Sequence, residues 1–242
     1  MNGNEYIIPC LLGKPIELPF LGLIYPLTID EIFKIGMTKY NQYLSLLTIT
    51  TEDILTMLDT KTDERIDAFD FLLLNALINE EFQKDILAAL SLFFKDTVNI
   101  CEEGYFYVGH INDCRCLNIA NYGLLTDVLK YQNCIESKQE VVAKNDKQRE
   151  FMKQLKEAKA KYNKLNSVDV NLELANIISS VCAKHPSINL FNICNLTMYQ
   201  VINQFKRLNM IDEYFINVDS LMHGATQDDV KLTHWASTLV ND

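Results

Sequence analysis

Three cysteines and one histidine, all residue types that bind zinc, lie close together in the middle of the sequence. They are Cys101, His110, Cys114 and Cys116. Structural zinc sites usually have two to four residues between paired cysteines and a second such pair, whereas this region has a C-x-C and no second pair. The sequence therefore favours reduced thiols packed in the interior over a zinc centre. No metal and no cofactor are predicted.

Nucleophilic catalysis would need a serine or cysteine beside a histidine, with a third side chain that orients the base. Cys182 and His185 are one helical turn apart, but Cys182 continues the apolar stripe of its predicted helix. The sequence contains no G-x-S-x-G, H-E-x-x-H, P-loop or G-x-G-x-x-G motif. Neighbouring acidic pairs such as Asp228 and Asp229 are more typical of helix caps or solvated surface. We therefore predict that the protein is not an enzyme.

The 242-residue chain carries 22 basic and 32 acidic side chains, which give it a formal charge of −10. This excess of acidic groups opposes broad electrostatic binding to nucleic acid or to an anionic membrane surface. No stretch approaches the roughly 18 apolar residues of a transmembrane helix, and the N-terminus lacks the basic region of a signal peptide. Seven cysteines without a framework spacing are typical of a reducing compartment. We expect a globular cytoplasmic protein with no nucleic-acid or membrane partner.

Helix signals dominate the first 135 residues. No proline occurs between residues 27 and 185, which favours long helices. Thr28 with Glu31 has capping-box spacing, and Thr50 with Asp53 repeats that spacing more weakly. A long Leu/Ala-rich stretch divides into two helices at Asn79. The predicted helices cover residues 29–47, 51–59, 67–94 in two parts, and 121–133.

Two segments have extended character. Residues 97–100 and 105–109 flank a turn that contains Gly104, which predicts a β-hairpin. Residues 1–26 hold four of the five prolines, and their apolar residues would fall on both faces of an extended strand. We predict that this N-terminal segment is an extended edge strand or docked arm.

Residues 136–165 differ in charge from the rest of the chain. They hold nine Lys/Arg and five Asp/Glu, a net charge of +4, whereas the remaining residues hold 13 and 27. Apolar residues here are spaced 4, 3, 4 and 3 positions apart, which is the a/d pattern of a short coiled-coil seam. The pattern predicts a connecting helix or one arm of an α-hairpin. The seam consists of Phe151, Leu155, Ala158, Tyr162 and Leu165.

Three further helices are predicted in the C-terminal part. Apolar residues from Val170 to Val181 recur at helical spacing, and Pro186 stops that helix. Thr197 with Gln200 forms another capping box, and the apolar stripes of the first two helices are predicted to pack together. The three helices cover residues 169–183, 198–209 and 228–239.

These elements predict a mainly α protein with one small β-hairpin near residues 97–109 and a long connecting helix. No internal repeat is visible. The predicted organisation has three parts. Residues 1–135 form an N-terminal helical domain with an extended arm and a small β element. Residues 136–166 form a Lys-rich connecting helix or α-hairpin arm, and residues 167–242 form a C-terminal helical domain.

The C-terminal part contains an ordered series of short motifs. Residues 171–239 include NIISSVCAKHPSINLFNICNLTMYQVINQFKRLNMIDEY and then MHGATQDDVKLTHWASTL. This order resembles small cytoplasmic proteins encoded among the tail genes of long-tailed phages of Gram-positive bacteria. In that family an S-I-N-x-x-N-I-like run leads into an L-T-x-Y-Q-x-x-x-x-F helix, a small-residue HG or AG turn, and a terminal H-W or D-W helix. Here these motifs fall on residues 187–193, 196–205, 223–225 and 234–235.

The resemblance implies a non-enzymatic tail-assembly chaperone that acts in the cytoplasm of the infected host. Such proteins bind the long helical tape-measure protein until the tail tube polymerises around it, so the implied partner is a helical protein. The seam of residues 151–165 could also contact a second copy of the chain, which would give a homo-oligomer. The candidate partner-binding residues are Phe151, Leu155 and Tyr162 in the seam, and Tyr199, Phe205 and Trp235 in the C-terminal part.

Two other functions stay open at the level of sequence. One is a structural tail or neck component of the virion, although the sequence lacks the strand runs that are common in tail tubes and baseplates. The other is a phage factor that binds a host defence protein. The protein bound in infected cells would distinguish these functions from chaperoning.

The seam generates a first prediction. Leu155→Asp places a charge where burial without a partner is costly, so the contact made by this seam should be lost. Light scattering should show dissociation with the fold retained if the seam joins two copies, whereas the thermal midpoint should fall if it packs within one chain. A circular dichroism spectrum in which this segment is not helical would contradict the prediction.

Overall fold

The computed structural model of the chain describes residues 4–58, 67–101, 103–135, 170–226, 230 and 232–239. Within these ranges the fold is mainly α, which confirms the predicted class, and no helix is both long and apolar enough to cross a bilayer. The helices are α1 (Asn4–Leu11), α2 (Ile29–Ile35), α3 (Met37–Leu47), α4 (Thr51–Leu58), α5 (Ala68–Ile78), α6 (Glu80–Phe94), α7 (Ile119–Gln132), α8 (Val170–Lys184) and α9 (Met198–Met222). The strands are β1 (Ile16–Leu18), β2 (Gly22–Ile24), β3 (Val98–Cys101), β4 (Tyr105–Val108) and β5 (Cys116–Leu117).

The N-terminal segment is helical where the sequence predicts an extended arm. Helix α1 contains Pro9, yet it forms because Tyr6 and Cys10 on its inner side are buried where it packs on α7 and α9. The stabilisation from this packing outweighs the loss of the backbone hydrogen bond that proline, which has no N–H group, cannot donate. The extended part is limited to β1 and β2, which form a second small hairpin with Leu18 paired to Gly22.

The predicted helix over residues 29–47 is two helices. Gly36 ends α2 and precedes α3, and its φ of 92° lies in the left-handed region that glycine tolerates best. Because of this break, α2 packs beside a short 3₁₀ turn in the C-terminal part, Ile193–Asn195, while α3 packs on α6.

Capping side chains begin three of the helices in this part of the chain, and two of these caps, Thr28 and Thr50, are predicted from the sequence. Thr28 Oγ1 accepts the N–H of Glu31 at 3.2 Å, and the Glu31 carboxylate accepts the N–H of Thr28 at 2.8 Å. Thr50 and Asp53 form the same reciprocal pair ahead of α4. Asn79 separates α5 from α6 and accepts two backbone N–H groups of the first turn of α6. These caps satisfy donors that a helix cannot bond internally, so the helix starts follow from local sequence.

The predicted β-hairpin is confirmed and is part of a three-stranded antiparallel sheet. Strands β3 and β4 pair with Val98 opposite Val108, and Gly104 in the turn has a φ of 92°. Strand β5, which the sequence does not predict, pairs with the other edge of β4. An ion pair between Arg115 and Asp96, with 2.7 Å between nitrogen and oxygen, joins the residue before β5 to the residues before β3.

The main core is formed by α1 to α7 and the two sheets. The Phe69 ring meets Phe106 edge-on with 6.0 Å between centroids and lies 5.8 Å from the Tyr122 ring. The Tyr122 hydroxyl donates to the carbonyl of Leu47 at 3.1 Å, which satisfies its buried polar group. The largest fully buried side chains are Tyr40, Phe69, Phe93, Phe106, Leu18, Leu21, Ile24, Ile32, Leu47, Ile54, Leu72 and Ile86.

Helices α8 and α9 pack against each other, as their apolar stripes predict. A second cluster of buried side chains lies between them and α2, and Phe205 is partly buried against it. Helix α9 continues to Met222, well beyond the predicted end at residue 209. The second cluster consists of Ile29, Val181, Ile193 and Val201.

Further contacts near the start of α9 hold the C-terminal helices against the N-terminal part. The Tyr199 ring stacks on the Tyr131 ring with 5.5 Å between centroids, and Tyr199 is buried with the main core. Gln200 Nε2 donates to the carbonyl of Leu11 at 2.9 Å. Thr28 and Thr197 face each other in an antiparallel bridge. Helix α9 therefore contributes to both apolar clusters.

Residues 232–239 do not form the predicted terminal helix. They have turns and irregular backbone, and Arg207 of α9 donates to the carbonyls of Trp235 and Ser237, the latter at 2.8 Å. These carbonyls are thereby bonded to a side chain of another element and not within a helix. Threonine, serine and histidine in this segment also have modest helix propensity. The contact with Arg207 therefore decides the local conformation.

The predicted connecting helix over residues 136–166 lies outside the described ranges. Phe151, Leu155 and Tyr162 lie outside them too. The boundaries of the three predicted domains stay a prediction.

The buried Tyr122 hydroxyl generates a second prediction. Burial, with a smaller effect from the nearby Asp67 carboxylate, raises the pKa of Tyr122 from 10.0 to about 12. The unfolded chain therefore ionises first as the pH rises, so the stabilisation is complete below pH 10 and is lost between about pH 10 and pH 12. This loss amounts to about 2–3 kcal/mol in the free energy of unfolding.

Urea unfolding of the wild type and of Tyr122→Phe from pH 8 to pH 12 measures this loss. The variant should be less stable at pH 8 by about 1 kcal/mol, because it lacks the hydrogen bond to Leu47, and should lose less stability above pH 10. Equal pH dependence in both proteins would contradict the assignment.

Candidate protein-interaction surface

The loop that connects α8 to α9 is held by its own asparagine side chains. Asn192 Oδ1 accepts the N–H of Asn189 at 2.8 Å, and Asn192 Nδ2 donates to the carbonyl of Ser187 at 2.8 Å. Asn189 Oδ1 in turn accepts the N–H of Phe191 at 2.9 Å. Asparagine favours such local bonds to the backbone, which here replace the bonds that a helix or strand would supply. The conformation of the loop is therefore set by its own sequence.

The tip of this loop exposes two consecutive large apolar side chains. Leu190 is 71% exposed and Phe191 is 93% exposed. Single exposed apolar residues are common on protein surfaces. Here two adjacent apolar side chains are exposed on a loop that is held by hydrogen bonds, so they form a small ordered apolar surface. We call Leu190 and Phe191 the loop tip.

The base of the loop is anchored in the second cluster. Ile193 is buried in this cluster, and Ile188 is packed against it. Thr197 caps α9, with its N–H donating to Gln200 Oε1 at 2.9 Å. Both ends of the loop are thus fixed by buried contacts, and the loop tip projects between two anchored positions.

Helix α2 adds a third exposed apolar side chain beside this region. Ile29 is buried in the second cluster, and Phe33 lies one helical turn later on the same side of α2. Phe33 is 84% exposed. The side of α2 that packs on the base of the loop therefore continues to Phe33, which is exposed to solvent. We call Phe33 together with the loop tip the junction surface.

A cleft of about 510 Å³ lies where α2 and the start of α9 meet. Its charged groups are paired, because Lys95 Nζ lies 2.6 Å from Glu31 Oε1 and Lys34 Nζ lies 2.6 Å from Asp30 Oδ2. Partial burial opposes ionisation of Glu31, but the hydrogen bonds from Lys95 and Thr28 outweigh it and hold the pKa of this carboxyl below its ordinary value. The cleft therefore offers little unbalanced charge to a small ionic ligand.

The groups considered for zinc binding do not form a metal site. In the part of the chain that the structure describes, no three His, Cys, Asp or Glu side chains are grouped so that they could share an ion. Cys114 is exposed, while Cys101 and Cys116 are partly buried on β3 and β5, at opposite edges of the sheet. Burial, with smaller effects from Cys114 and Cys101, raises the pKa of Cys116, which favours its thiol form.

The Nδ1 atom of His185 is bonded to the loop backbone and not to Cys182. His185 Nδ1 accepts the N–H groups of Ser187 and Ile188 at 3.1 and 3.0 Å, so it caps the loop. Burial raises the pKa of Cys182, which packs against the second cluster. Both side chains thus have structural contacts that account for their presence.

The predicted partner-binding residues within the described ranges have different environments. Tyr199 is buried on Tyr131, so its ring is not available at the surface, and Phe205 is partly buried against the second cluster. Trp235 is partly exposed, and its ring stacks on His234 with 5.4 Å between centroids. Phe151, Leu155 and Tyr162 are outside the described ranges.

The sequence does not predict the junction surface. The S-I-N-x-x-N-I run identified the loop, but its two unspecified positions are Leu190 and Phe191. The asparagines on either side bond the backbone, so the unspecified positions are the ones free to face a partner. This division between bonding and unspecified positions was the available signal. Phe33 had no such signal in the sequence.

The loop bonds generate a third prediction. Asn192→Ala removes the acceptor of the Asn189 N–H and the donor to Ser187, so the loop should open more often. Hydrogen exchange at the amides of Asn189 and Phe191 should become several-fold faster, with α8 and α9 unchanged. Asn195→Ala, at an exposed position of the same loop, is the matched control. Unchanged exchange in Asn192→Ala would contradict the role given to this side chain.

Comparison with known proteins bears on the C-terminal third of the chain. Residues 159–239 match the family model described as YomV second domain. No curated protein matches the chain, and no solved structure does. The matched range includes α8, the loop with its tip, α9 and the segment bound by Arg207. Because this family is of a Bacillus phage or prophage type, the match suggests that this is a phage-associated protein.

Proposed function

We propose that this protein is a phage tail-assembly chaperone that binds a helical tail protein, such as a tape-measure protein, in the host cytoplasm. It acts by covering apolar surface and catalyses no reaction. Two sequence relations support this proposal: the motif order of residues 171–239, and the match of residues 159–239 to a phage-type domain family.

The observation that carries the proposal is the loop tip. Leu190 and Phe191 are exposed, yet hydrogen bonds of Asn189 and Asn192 hold the loop that bears them. A chaperone must bind its client reversibly, and a few ordered apolar anchors can do so without a large entropic cost of ordering the binding surface. Phe33 adds a third anchor beside the base of the loop.

A helical client suits these anchors. An amphipathic helix presents apolar side chains three and four residues apart, about 5–6 Å from one another, and can therefore offer several of them to a compact apolar surface. The long tape-measure proteins implied by the resemblance are helical and have such stripes. Covering the stripes would prevent the client from aggregating before the tail tube forms.

Co-expression of the chain with the tape-measure protein of the same genome tests the proposal. The wild type should keep the client soluble and elute with it on sizing. Leu190→Ser combined with Phe191→Ser should reduce the soluble fraction of the client several-fold without lowering the thermal midpoint, because both side chains are exposed. The matched control is Leu74→Ser combined with Ile78→Ser, an exposed apolar pair on α5.

The outcomes test the chaperone function and the role of the loop tip as its binding site separately. A client that stays equally insoluble with and without the wild-type chain would refute the chaperone function. A client that is solubilised equally well by the loop variant would keep the function and remove the loop tip as its site. Abundant copies of the chain in purified virions would instead support a structural tail component.

A further inference from the structure

The second half of α9 presents an apolar stripe that is distinct from the junction surface. Phe215, Ile216 and Met222 are 60%, 64% and 80% exposed. They recur at spacings that place them on one side of a helix, together with Asp219, which is also exposed. We call these four residues and the exposed Glu213 near them the α9 stripe.

Other residues of the same helix contact the C-terminal segment. Arg207 bonds the C-terminal segment through the carbonyls of Trp235 and Ser237. The Tyr214 ring contacts His234 edge-on with 5.3 Å between centroids. The C-terminal segment therefore contacts α9 through Arg207 and Tyr214, and Phe215, Ile216 and Met222 stay largely exposed.

The charge around the α9 stripe has one sign. From residue 208 to residue 226 the sequence has three acidic residues and no lysine or arginine. Asp212 is paired with Lys184 of α8, whereas Glu213 and Asp219 have no lysine or arginine partner among the residues that the structure describes. His223 lies beside Asp219, with 3.5 Å between Nδ1 and Oδ1. The stripe is thus apolar with an acidic border.

We infer that the α9 stripe binds an amphipathic helix that carries lysine or arginine beside its apolar face. Apolar contacts with Phe215, Ile216 and Met222 supply the burial, and the basic groups of the partner pair with Glu213 and Asp219. Such complementarity selects among helices that share the same apolar pattern, because an acidic helix would place like charges together. The inference names the chemistry of the client helix and to that extent rests on the proposed function.

Two synthetic helices test the inference with the full-length protein. One is a labelled 21-residue amphipathic peptide of leucine and lysine, and the other has glutamate at every lysine position. Fluorescence anisotropy should show the Leu/Lys peptide binding at least about tenfold more tightly at low salt, with the preference decreasing as salt screens the charges. Phe215→Ser combined with Met222→Ser should weaken the binding of the Leu/Lys peptide by a similar factor.

Charge reversal separates a local effect from the net charge of the chain. Glu213→Lys combined with Asp219→Lys should remove or invert the preference between the peptides. Asp85→Lys combined with Asp127→Lys changes the net charge equally at exposed positions on α6 and α7, and should preserve the preference. Circular dichroism and the thermal midpoint verify that each variant is folded.

Equal effects of the two charge reversals, equal affinity for the two peptides, or no binding of either would overturn the inference. These results are independent of the co-expression experiment, because the peptides do not come from the client. A chain that distinguishes the peptides but fails to solubilise the tape-measure protein would keep the α9 stripe as a binding site and refute the chaperone function. A chain that solubilises the client without distinguishing the peptides would keep the chaperone function and refute the α9 stripe as the binding site.

Discussion

One backbone contact fixes the position of the C-terminal helices on the rest of the protein. The N–H of Ile29 donates to the carbonyl of Leu196 at 2.9 Å, beside the antiparallel bridge between Thr28 and Thr197. Each of these threonines also caps a helix, α2 or α9, through a reciprocal capping box. The starts of two helices are thus joined by main-chain atoms, whose hydrogen bonds must be satisfied when they are buried. The second cluster and the stacking of Tyr199 both depend on where α9 begins.

The junction surface is a consequence of this arrangement. Because Ile193 is buried and Thr197 is fixed as a cap, the loop between α8 and α9 has little freedom at its base. The asparagine bonds then determine the path of the remaining residues, and this path turns Leu190 and Phe191 to solvent. Exposure of two such side chains gains nothing for folding, since the hydrophobic contribution to stability comes from burial. A contribution to stability therefore does not explain their exposure.

Helix α9 combines structural and surface roles along its length. Its first turns contribute to both apolar clusters, its middle holds the C-terminal segment through Arg207, and its last turns expose the α9 stripe. Truncating side chains near its start would therefore disturb the fold, whereas changes near Phe215 and Met222 would leave the fold intact. This gradient of burial places Tyr199 in the main core and Phe205 against the second cluster, whereas the exposed apolar side chains of α9 lie nearer its C-terminal end.

The sequence by itself determined the helical class, the caps at Thr28, Thr50 and Thr197, the helix break at Asn79 and the hairpin at Gly104. Caps and tight turns depend on side chains within three or four residues of one another. The tertiary structure decided what depends on distant partners. Packing of Tyr6 and Cys10 makes α1 helical despite Pro9, and Arg207 keeps the segment around Trp235 irregular. The exposure of side chains also depends on distant partners. The pattern of apolar residues predicts which side of a helix is apolar, but not whether another element covers that side. The exposure of the α9 stripe therefore depends on the neighbours of α9, whereas the loop tip has a partial signal in the sequence, because the asparagines on either side of it bond the loop backbone.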